Sequence, residues 1–136
     1  MGLDDLTADQ VIDWQPTIVL AAGPPLYLSR LSKVQCDRAW KNAVRLAQSI
    51  DVVILDHHLM RGVGGAVWLD RLSATVAKQV YCAGDFMGRP RRLLEANRAE
   101  LYEQMPEPNG WHEDYERGQG EIDEYFDMVP QRNTQL

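Results

Sequence analysis

Asp51-Val-Val-Ile-Leu-Asp-His-His-Leu59 is the stretch around which the rest of this chain is read. Four consecutive apolar residues, Val52 to Leu55, mostly β-branched, predict a short buried strand. The strand runs directly into Asp56-His57-His58. A carboxylate and two imidazoles at the end of a buried strand are poorly explained by packing, and these donors suit a metal ion. His57 and His58 are two of only three histidines in the chain. The alternative is a turn capped by the Asp-His pair, with one imidazole satisfied in the core.

Outward from this block the pattern alternates. Thr17-Ile-Val-Leu-Ala-Ala22 is a second short apolar run, preceded by Pro16 and stopped by Gly23-Pro24-Pro25, and reads as a strand. Ser32 to Ile50 predicts a helix. Cys36, Trp40, Ala43, Ala47 and Ile50 step along one face, Lys33, Lys41, Asn42, Arg45 and Gln48 form a polar face, and Ser32 suits the N-cap. After Leu59, Arg61-Gly-Val-Gly-Gly65 predicts a flexible connection. A second helix is expected over residues 66–78, with Leu69, Leu72 and Val76 inward. Val80-Tyr-Cys-Ala83 predicts a third strand, ending at Gly84-Asp85. Pro90 suits a first helical turn, and Arg91 to Tyr102 continues that helix.

Strand and helix alternate three times with short links, which argues for a parallel sheet with flanking helices. The expected fold class is α/β, with a small, mostly parallel, three-stranded sheet. Residues 1–105 form the α/β body. Residues 106–136 form an acidic extension carrying Trp111, Tyr115, Tyr125 and Phe126, read as a loop strapped onto the body with a short helix near Glu121–Phe126.

The 136 residues fit one domain with a real core. Apolar and charged fractions of 45% and 25% are ordinary for a soluble globular protein. No apolar run approaches the roughly 20 residues of a membrane span. The start, Met1-Gly-Leu-Asp-Asp5, lacks the basic-then-apolar pattern of a secretory leader. Cys36 and Cys82, without motif spacing, fit free thiols in a reducing, cytoplasmic setting. The net charge of −6 is uneven: residues 1–102 carry 12 bases and 11 acids, residues 103–136 carry 2 bases and 9 acids. The acidic tail disfavours nonspecific nucleic-acid binding.

In parallel sheets, ligands bind beyond the carboxyl ends of the strands. Gly23-Pro24-Pro25, Asp56-His57-His58 and Gly84-Asp85 would meet at that edge. Asp85 can orient a histidine, ligate directly or cap the turn after Gly84. Gly23, Pro24 and Arg61 fall where they would back the ligands or touch substrate. Arg89, Arg91 and Arg92 cluster at the expected start of the last helix. They form either a solvated surface or, with free helical N–H groups, an anion site. His112 falls in an acidic loop and is expected at the surface.

Gly23-Pro-Pro-Leu-Tyr-Leu28, Ile54-Leu-Asp-His-His-Leu-Met-Arg61 and Leu93-Leu-Glu-Ala-Asn-Arg-Ala-Glu-Leu-Tyr102, in this order, resemble the C-terminal part of an uncharacterised, largely archaeal family of metallo-β-lactamase fold, described as metal-dependent hydrolases. The resemblance covers most of residues 11–105. It implies one half of an αββα sandwich, with His57 or His58 as the ligand that follows a C-terminal strand, and zinc or manganese as the metal. The superfamily's His-x-His-x-Asp-His loop has no counterpart here. The resemblance therefore implies a chain that is inactive alone and pairs with a complementary N-terminal half, or assembles as a homodimer. A non-catalytic assembly or binding module of the same fold is the alternative. Phosphoesterases marked by Asp-His-His need an Asp-rich motif after their first strand, where this chain has Gly23-Pro24-Pro25.

Overall fold

Val52–Leu55 forms a strand, β2, and its partner is β1, Ile18–Ala21. The two run parallel in the register Ile18↔Val52, Val19↔Val53, Leu20↔Ile54, Ala21↔Leu55. The computed structural model describes residues 4–107 and 109–119. Around the strands lie α1 (Asp5–Trp14), α2 (Lys33–Ser49), a 3₁₀ turn (Leu59–Arg61), α3 (Val63–Val76) and α4 (Ala83–Phe86). The chain divides into two units between Ala96 and Asn97. The second unit holds α5 (Arg98–Gln104) and α6 (Trp111–Glu116).

Period-two alternation and the register sort the sheet into two faces. Val19, Ala21, Val53 and Leu55 share one face and pack into the core with Ala43, Leu46 and Ala47 of α2 and Leu69 and Leu72 of α3. Ile18, Leu20, Val52 and Ile54 share the other. There Ile18 is 52% exposed and Leu20 71% exposed. Ile54 is buried beside Tyr81, with which it forms a parallel bridge. The sheet is thus covered by helices on one side and bears exposed aliphatics on the other.

The expected third strand is shorter than its sequence suggested. Tyr81 alone bridges β2, its N–H donating to Val53 O at 3.0 Å and its carbonyl accepting from Leu55 N at 2.8 Å. The chain then leaves the sheet because Cys82 and Asp85 form a capping box that starts α4. The described sheet therefore has two strands.

α2 matches its expected span. Ser32 and Gln35 cap each other reciprocally, satisfying free N–H groups of the first turn. One residue was misassigned: Asn42, expected on the polar face, is fully buried. It donates to Asp5 Oδ1 at 2.7 Å and accepts from Arg45 Nη1 at 3.0 Å, fastening α1 across α2.

The expected flexible connection at 61–65 is ordered instead. It comprises the end of the 3₁₀ turn and the first turn of α3. The helix expected from Arg91 starts only at Arg98, because Arg91 is drawn into ion pairs with Asp85 and Asp70. Residues 111–116, read as loop, form α6, with His112 Nε2 3.6 Å from Glu107 Oε1. The short helix expected near 121–126 lies outside the described residues. Among the described residues no helix is long and apolar enough to cross a membrane.

Candidate functional site at the strand ends

Because β1 and β2 are parallel and Tyr81 bridges β2 in the same sense, all three strand ends open on one edge. Residues 56–61 are fixed there by backbone bonds to the loop after β1. Asp56 N–H donates to Ala21 O at 3.0 Å. His58 and Leu59 N–H both donate to Ala22 O, at 3.0 and 3.1 Å. Leu59 is buried between two glycines. A Cβ on Gly23 would stand 2.7 Å from Leu59 Cβ, and Gly23 has φ +70. A Cβ on Gly65 would stand 1.7 Å from the Leu59 carbonyl oxygen. Both positions require glycine, and together they hold the turn that carries the histidines.

Asp56 is a clasp. Its Oδ1 accepts from His57 N at 2.6 Å and its Oδ2 from Ala83 N at 2.5 Å, tying the end of β2 to the start of α4. His57 sits at φ +39, a conformation uncommon for a residue with a side chain. It is exposed, and its ring centroid lies 4.5 Å from that of His58. Among the described residues neither ring has a hydrogen-bond partner, and His58 Nδ1 is buried without one. Burial, then the neighbouring His57 and Arg61, hold the His58 pKa below the ordinary imidazole value. His58 is therefore neutral over a wider pH range, the form that donates to metals.

Two imidazoles do not complete a metal site. Among the described residues no group of three or more His, Cys, Asp or Glu could hold an ion. The donors present fit a share of a site and no more.

The other expected residues have contacts of their own. Asp85 takes the capping role: its Oδ2 accepts from Cys82 N at 3.1 Å, and its carboxylate receives Arg91 Nε at 2.8 Å and Nη2 at 2.7 Å. Arg91 Nη1 lies 2.8 Å from Asp70 Oδ1. Burial raises the Asp85 pKa, but the Arg91 fork and the Cys82 N–H lower it more, so the net shift is downward. Arg91 is thus committed to carboxylates, and residues 89–92 begin no helix whose N–H groups could join them. Pro24 shapes the loop after β1 by accepting from Leu26 N at 2.9 Å. Arg61 ends the 3₁₀ turn and donates to Tyr27 Oη at 3.3 Å. Tyr27 carries no signal of this role in the sequence: it lies 34 residues from Arg61, and no local pattern joins them.

No family model and no solved structure matches the chain. It is similar to several archaeal proteins. It is 44% identical over 91% of its length to a UPF0282 protein of Methanosarcina mazei, of which it covers 41%. It is 39% identical over 67% of its length to a UPF0282 protein of Methanopyrus kandleri, covering 31%. It is 30% identical over 77% of its length to one from Korarchaeum cryptofilum, covering 37%. The chain thus spans well under half the length of these relatives.

Proposed function

We propose, taking the likeness to longer proteins of the uncharacterised archaeal UPF0282 family as premise, that this chain is the C-terminal portion of a metal-dependent hydrolase of metallo-β-lactamase fold. In this reading His57 and His58 are donors to a metal site that residues elsewhere complete. The observation that carries the reading is the pair of adjacent imidazoles on the carboxyl edge of a parallel sheet, neither ring hydrogen-bonded among the described residues. A divalent metal, zinc or manganese, would lower the pKa of a bound water and polarise the scissile bond. The chain's own part is narrower. Asp56 and Leu59 fix the turn, and the turn presents the imidazoles.

The exposed face of Ile18 and Leu20 supports the same reading. Exposed aliphatics on a sheet suit a second layer, as an αββα sandwich supplies. That face also suits the alternative, an assembly module that has lost its chemistry, and metal binding separates the two. Elemental analysis after zinc loading tests this. The chain should hold zinc weakly and below one ion per chain, and the double substitution His57→Ala, His58→Ala should remove it. Equal retention by the double variant would refute the donor role. A tightly held ion surviving dialysis would show that the chain needs no completing residues.

A further inference from the structure

Arg61 differs from the cations of this chain that sit in ion pairs. Arg38, Arg45 and Arg91 each meet a carboxylate, as does Lys33. Arg61 has no carboxylate partner among the described residues. It is half-buried, with its guanidinium carbon 5.8 Å from the centroid of the Tyr27 ring and Nη1 on the Tyr27 hydroxyl. That oxygen accepts from Arg61, so its own proton is free to donate outward. Tyr27 is 44% exposed, which leaves the pair open to solvent. His58 immediately precedes the 3₁₀ turn and Arg61 ends it. Residues three apart in a 3₁₀ turn eclipse, so Arg61 falls on the side of the turn that carries His58.

We infer that Tyr27 and Arg61 form an anion subsite beside the histidine pair, taking a phosphate or a like oxyanion of the substrate. The guanidinium fork matches two oxygens of such a group, and the phenol hydroxyl supplies a further donor. Asp56, the nearest carboxylate along the chain, is not paired with Arg61 among the described residues; its two oxygens accept the His57 and Ala83 N–H groups. Tyr27 is held in the loop after β1, where a Cβ on Gly62 would lie 3.8 Å from Tyr27 Cβ. This subsite is distinct from the cluster Arg89, Arg91 and Arg92, in which Arg91 is already paired with Asp85 and Asp70. The assignment of this subsite to a hydrolase substrate rests on the reading proposed above.

Inorganic phosphate is the probe, titrated into the full chain at constant ionic strength and followed by amide and arginine side-chain NMR. Saturable shifts are expected over residues 23–27 and 58–62. Arg61→Gln should weaken them about tenfold or more, the loss of a charge-assisted contact. Tyr27→Phe should weaken them by less, and Arg89→Gln should leave them unchanged. Shifts without saturation, or equal weakening by Arg89→Gln and Arg61→Gln, would overturn the subsite. A zinc titration of separate, phosphate-free samples keeps the two ideas apart. Phosphate binding at Arg61 without zinc binding at the histidines supports the subsite and sinks the metal reading. Zinc binding with no phosphate-dependent shift does the reverse.

Discussion

Gly65→Ala should damage this protein far more than its neighbour Gly64→Ala, although both lie in the first turn of α3. At Gly65 the added Cβ would sit 1.7 Å from the Leu59 carbonyl oxygen and 2.7 Å from its carbon. The first contact is half the 3.4 Å of an ordinary approach, and the obstacle is backbone, so no rotamer change relieves it. Either α3 or the turn carrying His57 and His58 must move, at a cost of about 3 kcal/mol, the upper end of core overpacking. At Gly64 nothing lies within 4 Å of the new Cβ, and alanine should stabilise the helix by about 0.5–1 kcal/mol. Urea unfolding of both variants, compared at a common slope, gives the two values. Amide shifts at residues 57–61 report whether the turn moves. Similar midpoints for the two variants would refute the claim that Leu59 is clamped by Gly65.

Asp56→Ala should cost about 2 kcal/mol by stripping acceptors from the His57 and Ala83 N–H groups, and Asp56→Asn about half that, both read by urea unfolding. Asp85 has a folded pKa below its ordinary 3.8, so its contribution to stability is full above that value and fades as pH falls below it. Asp85→Asn should flatten the acid limb of a stability profile; an unchanged limb would show that the Arg91 pair carries no linkage. Leu20→Ser, on the exposed sheet face, should change stability by less than about 0.5 kcal/mol, whereas Leu55→Ala, on the buried face, should cost about 2–5 kcal/mol. Equal losses would mean that Leu20 is covered in solution.

The parts of the fold legible in the sequence are those whose cause is local. Ser32 and Gln35 announce the start of α2, and the apolar runs at 18–21 and 52–55 announce both strands. The glycines at 62–65 suggest a flexible link, but Gly65 is needed because it must let the Leu59 carbonyl pass, a contact that no local pattern announces. The third strand and the helix from Arg91 failed for one physical reason. Asp85 gathers Cys82 N and the Arg91 side chain, ending the strand early and delaying the helix. α1 went unassigned although Asp4 caps it through Thr7, an Asp-x-x-Thr signal open to inspection. Its anchoring on α2 was not open to inspection, because Asp5 and Asn42 lie 37 residues apart. At the site, the strand-end position of the histidines followed from sequence. The clasp made by Asp56 and the meeting of Tyr27 with Arg61 are tertiary, so no spacing announces them.

The central claim is that His57 and His58 present free imidazoles to a metal at the strand ends. Long-range ¹H–¹⁵N spectra of the three imidazoles during a zinc titration test it most directly, since the chain has only these histidines. His57 and His58 should shift together, each losing a nitrogen signal of the free ring, while His112 in α6 stays in place. Zinc-dependent shifts at His112 with an unmoved pair, or no shift at any of the three, would contradict the account.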